Sequence, residues 1–334
     1  MKPIRVVMLW SFCDTQIQRL NAAAPGLEVH QPAIHAGEDI LPSVQDAQVL
    51  LAPEVKFDVT QARRLAWVQV PSAGVDHLLD HPLMRSTIRL TTASGIHAVP
   101  IGEHVLAMML CWSRQLGLTG RWQQARQWPA DRSQYQATEL QGATLGIVGY
   151  GSIGRHVARL ASGFGMRVLA VRRSPGRTEE GWGEPGIGDP AGEIPERIYG
   201  PGEVTAMLPL CDYVVVALPL TPETRHLIGA RELASMKRSA YLVNISRGGV
   251  IDEPALVAAL QAGALAGAGL DVFEREPLAA DSPLRSLATV TLTPHVAGSS
   301  QRYNERLALL FAENLARLVQ GRPLLNLVDP KRGY

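Results

Sequence analysis

The 334-residue sequence has little cysteine. Its three cysteines, Cys13, Cys111 and Cys211, are odd in number and far apart, and none forms a C-x-x-C pair. The count argues against a disulfide framework, and the spacing does not fit zinc-ligand patterns. We therefore expect a protein of the reducing cytoplasm that carries no metal site.

Neither sign of charge dominates, and no long apolar run is present. Lys and Arg total 32 against 31 Asp and Glu, which gives a net charge of +1. This balance argues against a nucleic-acid-binding face, and no stretch approaches the ~20 apolar residues that cross a bilayer. We expect neither nucleic-acid nor membrane partners. The length predicts about two globular domains.

The middle of the chain alternates strand-like and helix-like segments. Apolar, β-rich runs occur at 144–148, 167–171, 213–218, 240–245, 266–270 and 289–292. Helical patterns lie between them, for example at 153–162, 230–236 and 253–262. Nearly continuous apolar strands that alternate with helices are typical of a parallel, doubly wound sheet covered on both faces.

The two ends of the chain give weaker signals. Residues 1–98 look like a smaller α/β unit, with strands predicted near 4–10, 48–52 and 67–70. A long helix is predicted over 101–118 and an amphipathic helix over 299–320. A Gly- and Pro-rich stretch, 174–203, stands where a connection of a few residues is usual. We interpret it as a flexible surface insertion, with a flap over a bound cofactor as the alternative.

A glycine-rich turn follows the first strand of the central region. The motif G-x-G-x-x-G, from Gly149 through Gly151 to Gly154, comes directly after an apolar strand and opens a helix, as the phosphate-binding mechanism requires. Gly149 permits the tight turn, Gly151 lets a pyrophosphate approach, and Gly154 allows close helix packing. The N–H groups of Ser152 and Ile153 would face the anion at the helix N-terminus.

The end of the next strand bears on the choice of dinucleotide. An NAD site places Asp or Glu there to hold the ribose 2′-OH, whereas this strand ends in Arg172, Arg173 and Ser174. Guanidinium groups bind a phosphate by paired, charge-assisted hydrogen bonds. The sequence therefore favours NADP(H), with NAD(H) as the alternative.

Three later segments place polar groups after apolar runs. They are N-I-S-R-G-G at 244–249, D-V-F-E-R-E-P at 271–277 and T-P-H-V-A-G at 293–298. Ligands of open α/β sheets bind at the carboxyl ends of the strands. The ordered set of motifs resembles the D-isomer-specific 2-hydroxyacid dehydrogenases over most of the chain, most strongly between Gly149 and Gly298.

The resemblance implies an architecture and three catalytic residues. We expect two doubly wound, parallel-sheet domains, with a Rossmann-type nucleotide domain (100–296) inserted into a flavodoxin-like substrate domain (1–99 plus 297–334). The active site would lie in the cleft between domains, which would close about hinges near 98–101 and 295–299. Arg247, Glu276 and His295 are the implied catalytic residues.

Further site residues are implied by the same resemblance. The loop around Ala73, Gly74 and Val75 corresponds to the one whose amides bind the substrate carboxylate, together with Arg247. His97 stands where many relatives have Asn. The nicotinamide end of the cofactor would contact Leu218, Pro219, Thr224, Ile245, Asp271 and Gly298. For Asp271 the alternative is a cap on the following turn.

These residues suit the reduction of a keto acid. Reduction delivers a hydride to carbon and a proton to oxygen, and His295, oriented by Glu276, can give that proton. Arg247 can grip the carboxylate and polarise the carbonyl. We expect NADP(H)-dependent reduction of small 2-keto acids to D-2-hydroxy acids, with glyoxylate and hydroxypyruvate as the first candidates.

Two alternative functions and a homodimeric assembly are also consistent with the resemblance. The first alternative is an enzyme like D-3-phosphoglycerate dehydrogenase, and the second is a dinucleotide-sensing, corepressor-like binding protein. Formate oxidation is disfavoured because the relatives that perform it have Gln where Glu276 stands. The resemblance also implies a homodimer, formed through the helix-rich side of the nucleotide domain that includes 101–118.

Overall fold

A computed structural model describes residues 3–33, 39–174 and 181–334. These residues divide into two compact units. Unit 1 comprises 3–33, 39–97, 181–185 and 300–334, and unit 2 comprises 98–174 and 186–299. Helices and strands are numbered below in chain order across both units.

Unit 1 is built on a parallel sheet of short strands. The strands are β1 (Ile4–Met8), β2 (Leu27–His30), β3 (Val49–Leu51), β4 (Trp67–Gln69) and β5 (Arg89–Thr91). Their order, β2-β1-β3-β4-β5, is that of flavodoxin-like folds. The helices are α1 (Asp14–Asn21), α2 (Leu41–Val44) and, at the end of the chain, α9 (Tyr303–Val319).

Unit 2 is built on a larger parallel sheet. Its strands are β6 (Thr144–Val148), β7 (Arg167–Val171), β8 (Arg197–Tyr199), β9 (Tyr213–Val216), β10 (Tyr241–Asn244), β11 (Gly267–Leu270) and β12 (Val290–Leu292). Its helices are α3 (Ala98–Ser113), α4 (Leu116–Gln124), α5 (Ser152–Gly163), α6 (Val204–Met207), α7 (Ala230–Ser235) and α8 (Glu253–Gln261). The predicted class, two doubly wound parallel sheets, is confirmed.

Apolar burial on both faces explains why the strands of unit 2 are read so clearly from the sequence. The strand order is β12-β11-β10-β9-β6-β7-β8. The chain winds from β6 through β7 to β8, and then returns to the other side of β6 with β9, which pairs with β6 in parallel. Each face of the sheet carries its own buried cluster, and α3 contributes Val105, Met108 and Met109 to one of them. In unit 1, α9 buries Leu307, Leu310 and Phe311 against one face of the sheet. None of the helices described is both long and apolar enough to cross a bilayer.

Two sequence predictions are wrong in detail. The helix predicted over 101–118 is broken at Gln115, whose φ of 49° ends α3 and starts α4. The stretch interpreted as a flexible surface insertion does lie at the surface, but 181–199, which we call the connecting segment, also contains a buried residue and a strand. Asp189 is buried there, and Arg197–Tyr199 is the edge strand β8. Residues 175–180 of that stretch lie outside the described residues.

Candidate active site

The glycine turn after β6 has the geometry of a phosphate cradle. Gly149 has a φ of 111°, and a Cβ on it would collide with the carbonyl of Ala217. A Cβ on Gly154 would likewise collide with the carbonyl of Gly149. Gly151 differs, because its missing Cβ would meet nothing within 4 Å. The turn is therefore tight on two sides and open at Gly151, where the N-terminus of α5 begins at Ser152 and continues through Ile153.

The carboxyl end of β7 lies beside this cradle. The amide of Gly149 donates to the carbonyl of Val171 at 3.1 Å, and Arg172 donates from its amide to Tyr199 at 2.9 Å. Arg173 is exposed. A hydrogen bond from the Thr221 hydroxyl lowers the pKa of Glu223 most, and the charge of Arg173 adds a smaller lowering. Residues 172–174 thus bring two guanidinium groups and the Ser174 hydroxyl to the strand end.

The loop that carries Arg247 is held by its own side chains. Asn244 Oδ1 accepts from the amide of Ser246 at 3.1 Å and from its hydroxyl at 2.7 Å. The side-chain Nδ2 of Asn244 donates to the Arg247 carbonyl at 3.3 Å, and Arg247 Nη1 donates to the Ser246 carbonyl at 3.0 Å. These bonds fix the backbone from which the guanidinium projects.

Gly248 brings this loop against the one that carries Glu276. A Cβ at Gly248 would overlap the carbonyl carbon and oxygen of Phe273, so only glycine fits this approach. The amide of Phe273 in turn donates to Glu276 Oε1 at 3.0 Å. One carboxylate oxygen of Glu276 is therefore fixed by the backbone that Gly248 touches.

The other oxygen of Glu276 orients His295. Nδ1 of His295 lies 2.7 Å from Glu276 Oε2. An ionised carboxylate only accepts, so Nδ1 carries the hydrogen and Nε2 is directed away from the pair. The side chains of His295 and Glu276 are 47% and 35% exposed, so a small molecule can reach them. The φ of His295 is 54°, a left-handed conformation that is costly for a residue with a side chain.

Asp271 holds the loop in which His295 stands. It is 1% exposed. Its Oδ1 accepts from the Thr293 hydroxyl at 2.6 Å and from the Val296 amide at 2.9 Å, and its Oδ2 accepts from the Ala297 amide at 2.9 Å. The Thr293 oxygen lies 3.1 Å from His104 Nε2. Asp271 thus fixes the turn, and the predicted contact with the nicotinamide stays a prediction.

Three adjacent strands present these loops at one edge of the sheet. We call them the strand-end loops: 244–249 after β10, 271–276 after β11 and 293–298 after β12. Because β10, β11 and β12 are parallel neighbours, their carboxyl ends share this edge. The edge also carries the glycine cradle after β6 and Leu218 after β9.

The remaining predicted cofactor residues occupy the same edge. Ile245 and Gly298 belong to the strand-end loops. Leu218 and Pro219 are partly buried after β9. The hydroxyl of Thr224 donates to the Pro219 carbonyl at 2.6 Å and accepts from the Thr221 amide at 2.8 Å. Its hydrogen is thus used within its own loop.

The predicted substrate loop belongs to unit 1. Ala73 and Gly74 are partly buried and Val75 is buried. The Ser72 hydroxyl donates to the Gly74 carbonyl at 2.8 Å. Among the described residues, no acceptor is found for the amides of Ala73 and Gly74. Two such amides can bind an anion. In the same unit, His97 packs edge-on against Tyr303, with ring centroids 5.3 Å apart.

Several positioning residues escaped the sequence reasoning. Asn244, Ser246 and Thr293 fix the strand-end loops although none was singled out. Their signal was present, because each is a small polar residue that follows an apolar strand within one of the three motifs. Side chains of this kind bond to nearby backbone in tight loops.

Comparison with known proteins agrees with this geometry. The family model "D-isomer specific 2-hydroxyacid dehydrogenase, NAD binding domain" matches residues 106–297. Glyoxylate reductase of Korarchaeum cryptofilum is 35% identical over 299 residues, which cover 87% of this chain and 85% of that protein. D-3-phosphoglycerate dehydrogenase of Methanocaldococcus jannaschii is 31% identical over 87% of this chain, which spans only 53% of that protein.

A solved structure supports the same assignment. The D-isomer specific 2-hydroxyacid dehydrogenase of Xanthobacter autotrophicus Py2, in complex with NADPH and MES, matches over the full length of both chains, with 30% identity and a TM-score of 0.80. The family model covers more than half of the sequence, and the relatives extend the match over most of it. The chain therefore belongs to the D-isomer-specific 2-hydroxyacid dehydrogenases, a family of NAD(P)-dependent oxidoreductases.

Proposed function

We propose that the protein reduces small 2-keto acids to D-2-hydroxy acids with NADPH, and that glyoxylate and hydroxypyruvate are its substrates. The observation that carries the proposal is the His295–Glu276 pair, 2.7 Å apart, at the sheet edge that also holds the glycine cradle. An acid–base pair at this edge suits proton transfer beside a bound dinucleotide. The glyoxylate reductase relative supports the substrate class.

His295 is proposed as the proton donor. With the Nδ1 hydrogen directed to Glu276, the reacting proton belongs to Nε2. As the carbonyl carbon of the keto acid gains hydride, the C=O π electrons move to oxygen, which takes the Nε2 proton. Glu276 stabilises the imidazolium before transfer and holds the ring in position afterwards. The reverse reaction returns the proton to Nε2.

Arg247 is proposed to bind the substrate carboxylate and polarise its carbonyl. Its backbone is fixed by Asn244 and Ser246, and its loop is pressed against that of Glu276 through Gly248. A planar guanidinium offers paired donors to a carboxylate. In unit 1, the amides of the 73–75 loop are proposed to bind an anionic group of the substrate.

The cofactor residues are assigned on the cradle and its neighbours. NADPH supplies the hydride when bound. Gly149, Gly151 and Gly154 would admit its pyrophosphate, and the amides of Ser152 and Ile153 would bind it, since Gly151 faces open space. The nicotinamide end is assigned to Leu218, Pro219, Thr224, Ile245, Asp271 and Gly298.

NADPH is preferred in this proposal because of the end of β7. Arg172, Arg173 and Ser174 stand there without a carboxylate, and a relative of known structure binds NADPH. Substituting Arg172 or Arg173 with Ala should raise KM for NADPH about tenfold, the size of one lost charge-assisted hydrogen bond. KM for NADH should change less than about twofold.

Arg167→Ala is the control for these variants. Arg167 lies at the opposite end of β7 in an exposed ion pair with Glu196, so its loss should leave both KM values unchanged. If Arg172→Ala and Arg173→Ala weakened NADPH and NADH equally, the assignment to the 2′-phosphate would be wrong.

Steady-state rates with a substrate panel test the reaction itself. Glyoxylate, hydroxypyruvate, pyruvate, phenylpyruvate and 3-phosphohydroxypyruvate are each supplied with NADPH and with NADH, and cofactor oxidation is followed by absorbance. We expect the highest kcat/KM with NADPH and one of the first two acids. A preference for 3-phosphohydroxypyruvate would instead support the function of the phosphoglycerate dehydrogenase relatives. Cofactor binding without turnover of any acid would support a dinucleotide-sensing protein.

We also propose that the protein is a homodimer. The apolar face of 101–118 does not support this, because Val105 and Met109 of α3 are buried in the hydrophobic core of unit 2. Exposed apolar side chains in the part of the chain that follows α3 support it instead, since Trp128 is 91% exposed and Leu116 is 53% exposed. Sedimentation equilibrium should give twice the 36.1 kDa chain mass, and Trp128→Ser should shift the equilibrium toward the monomer.

A further inference from the structure

We infer that the connecting segment (181–199) positions the phosphate cradle, and that Asp189 and Tyr150 are positioning residues for binding of the dinucleotide. Tyr150 stands between Gly149 and Gly151, inside the cradle, and its hydroxyl donates to Asp189 Oδ2 at 2.6 Å. The inference rests on the proposed function, because it assumes that the cradle binds the cofactor pyrophosphate.

The Asp189 carboxylate is buried, and each of its oxygens accepts two hydrogen bonds. Asp189 is 7% exposed. Besides Tyr150, Oδ2 accepts from the Ile194 amide at 3.0 Å, and Oδ1 accepts from the amides of Gly192 and Glu193 at 3.2 and 3.1 Å. Burial alone would raise the pKa of Asp189, but the Tyr150 hydrogen bond, the amides of Ile194 and Glu193 and the charge of Arg155 lower it overall. Because four donors bind this carboxylate from fixed positions, its orientation is fixed.

Arg155 links the same group to the first turn of α5. Its side chain is completely buried, and its Nη1 donates to the carbonyl oxygen of Asp189. Its guanidinium carbon lies 4.9 Å from the centre of the Tyr150 ring, within range of a cation–π contact. Its amide donates to Gly151 at 2.9 Å. Asp189 therefore contacts both the cradle, through Tyr150, and the helix start, through Arg155.

The backbone of the connecting segment is shaped for this contact. Gly188 and Gly192, on either side of Asp189, have φ values of 74° and 75°, which only glycine adopts readily. The turn they form also lies on α5, where the Gly188 amide donates to His156 Nδ1 and the Gly188 carbonyl accepts from Arg159, both at 3.4 Å. The turn is thus seated along one side of the helix that begins at the cradle.

The position of Tyr150 explains why the contact bears on the cofactor. A glycine-rich turn has many accessible backbone conformations, and holding it in one of them lowers the ordering cost of binding. Tyr150 is the side chain between the two glycines, and it is 2% exposed. It touches no reacting atom in this assignment, so its loss should act on cofactor affinity and leave the proton transfer at His295 intact.

The test compares Tyr150→Phe with the wild-type chain. This variant keeps the ring over Arg155 and removes only the hydroxyl. Titration of NADPH against intrinsic fluorescence should show Kd raised about tenfold, as expected for one hydrogen bond to a charged group. KM for NADPH should rise with Kd, while kcat at saturating cofactor stays within about twofold. In the cofactor-free protein, amide hydrogen exchange of 149–154 should accelerate.

Matched controls come from an exposed loop of unit 2. Asp131 accepts from the amide and hydroxyl of Ser133, both at 2.8 Å, without a tyrosine or a buried arginine, and Tyr135 stands nearby in the sequence. Asp131→Asn and Tyr135→Phe should leave Kd, KM and amide exchange unchanged. Asp189→Asn is the stronger variant, and Tyr150→Phe keeps the test valid if Asp189→Asn does not fold.

The outcomes are separable from those of the proposed function. If wild-type protein binds NADPH and Tyr150→Phe binds it equally well, the inference is overturned, even if the variant melts at a lower temperature. If wild-type protein binds neither NADPH nor NADH, the cradle assignment and the inference both fail. If Kd rises but kcat falls in parallel, Tyr150 acts on the chemistry and its role as a positioning residue is wrong.

Discussion

The strand-end loops and the connecting segment (181–199) are both built from polar contacts, but most of the contacts within the loops join residues that lie closer together in the chain. In the loops, Glu276 meets His295 across 19 residues and Asp271 meets Ala297 across 26, although Thr293 also meets His104 across 189. In the connecting segment, Asp189 meets Tyr150 across 39 residues, Glu184 meets Arg306 across 122, and Trp182 meets Asn326 across 144. Contacts between neighbouring motifs can be predicted from the sequence, whereas contacts between distant residues depend on the folded path.

Substitutions in the two regions should also affect different properties of the protein. The strand-end loops expose the groups assigned to chemistry and bury the groups that hold them, as His295 and Asp271 illustrate. The connecting segment buries Asp189 and presents no group assigned to the reaction. Substitutions in the loops should therefore reduce turnover, and substitutions in the connecting segment should reduce cofactor affinity or stability.

The largest effect is expected at His295. His295→Gln removes the proposed proton donor and should lower kcat for keto-acid reduction about a thousandfold, while Kd for NADPH stays the same. Steady-state rates and a fluorescence titration measure the two quantities. Arg275→Gln, an exposed change in a neighbouring strand-end loop, serves as the control. Retention of more than a tenth of wild-type kcat in His295→Gln would remove His295 from the mechanism.

A smaller loss of turnover is expected at Asp271. Asp271→Asn leaves one acceptor oxygen for the donors of Thr293, Val296 and Ala297, and its NH2 group opposes one of those amides. The His295 turn should shift, so kcat should fall about thirtyfold, equivalent to about 2 kcal/mol. The melting temperature should drop by a few degrees. Unchanged kcat in a less stable variant would show that the turn does not depend on this carboxylate.

The smallest effect on turnover is expected in unit 1, at the first part of the connecting segment. Glu184 pairs with the buried Arg306 at 2.8 Å and with the exposed Arg302 at 3.1 Å. Glu184→Gln leaves the Arg306 guanidinium buried without its anion, so stability should fall by about 2 kcal/mol. Calorimetric melting should detect this loss, and kcat should change less than about twofold.

Glu305→Gln is the control for that variant. Glu305 forms an exposed pair with the same Arg302, at 2.9 Å, and exposed pairs contribute little to stability because water and salt screen them. A larger stability loss in Glu305→Gln than in Glu184→Gln would contradict the importance given to burial of Arg306.

The sequence predicts the large sheet better than the small one. Each strand of unit 2 that the sequence predicted overlaps an observed strand, because buried parallel strands are apolar throughout. The missed strands are short or lie at an edge. In β2, burial alternates over only four residues, and β5 has three residues with one exposed. Such segments carry too few apolar positions to show a period.

Other features depend on contacts that no local pattern encodes. The break at Gln115 falls between two helix-forming stretches. It is accompanied by a bond from Gln115 Nε2 to the Gln136 carbonyl at 3.0 Å, across 21 residues. The three motifs indicated that Arg247, Glu276 and His295 follow neighbouring strands, but not that Gly248 presses two of the loops together. No sequence pattern around Asp189 indicated its contact with Tyr150 of the phosphate cradle, 39 residues away.

The left-handed backbone of His295 has a consequence for how this position can vary. Glycine adopts such a φ without penalty, and asparagine adopts it more easily than most residues. Selection for thermal stability alone should therefore favour glycine or asparagine at position 295, whereas selection for catalytic turnover should favour histidine. Stability and turnover make opposite demands on one residue, so a library screened only for heat resistance would be expected to accumulate inactive members at this codon.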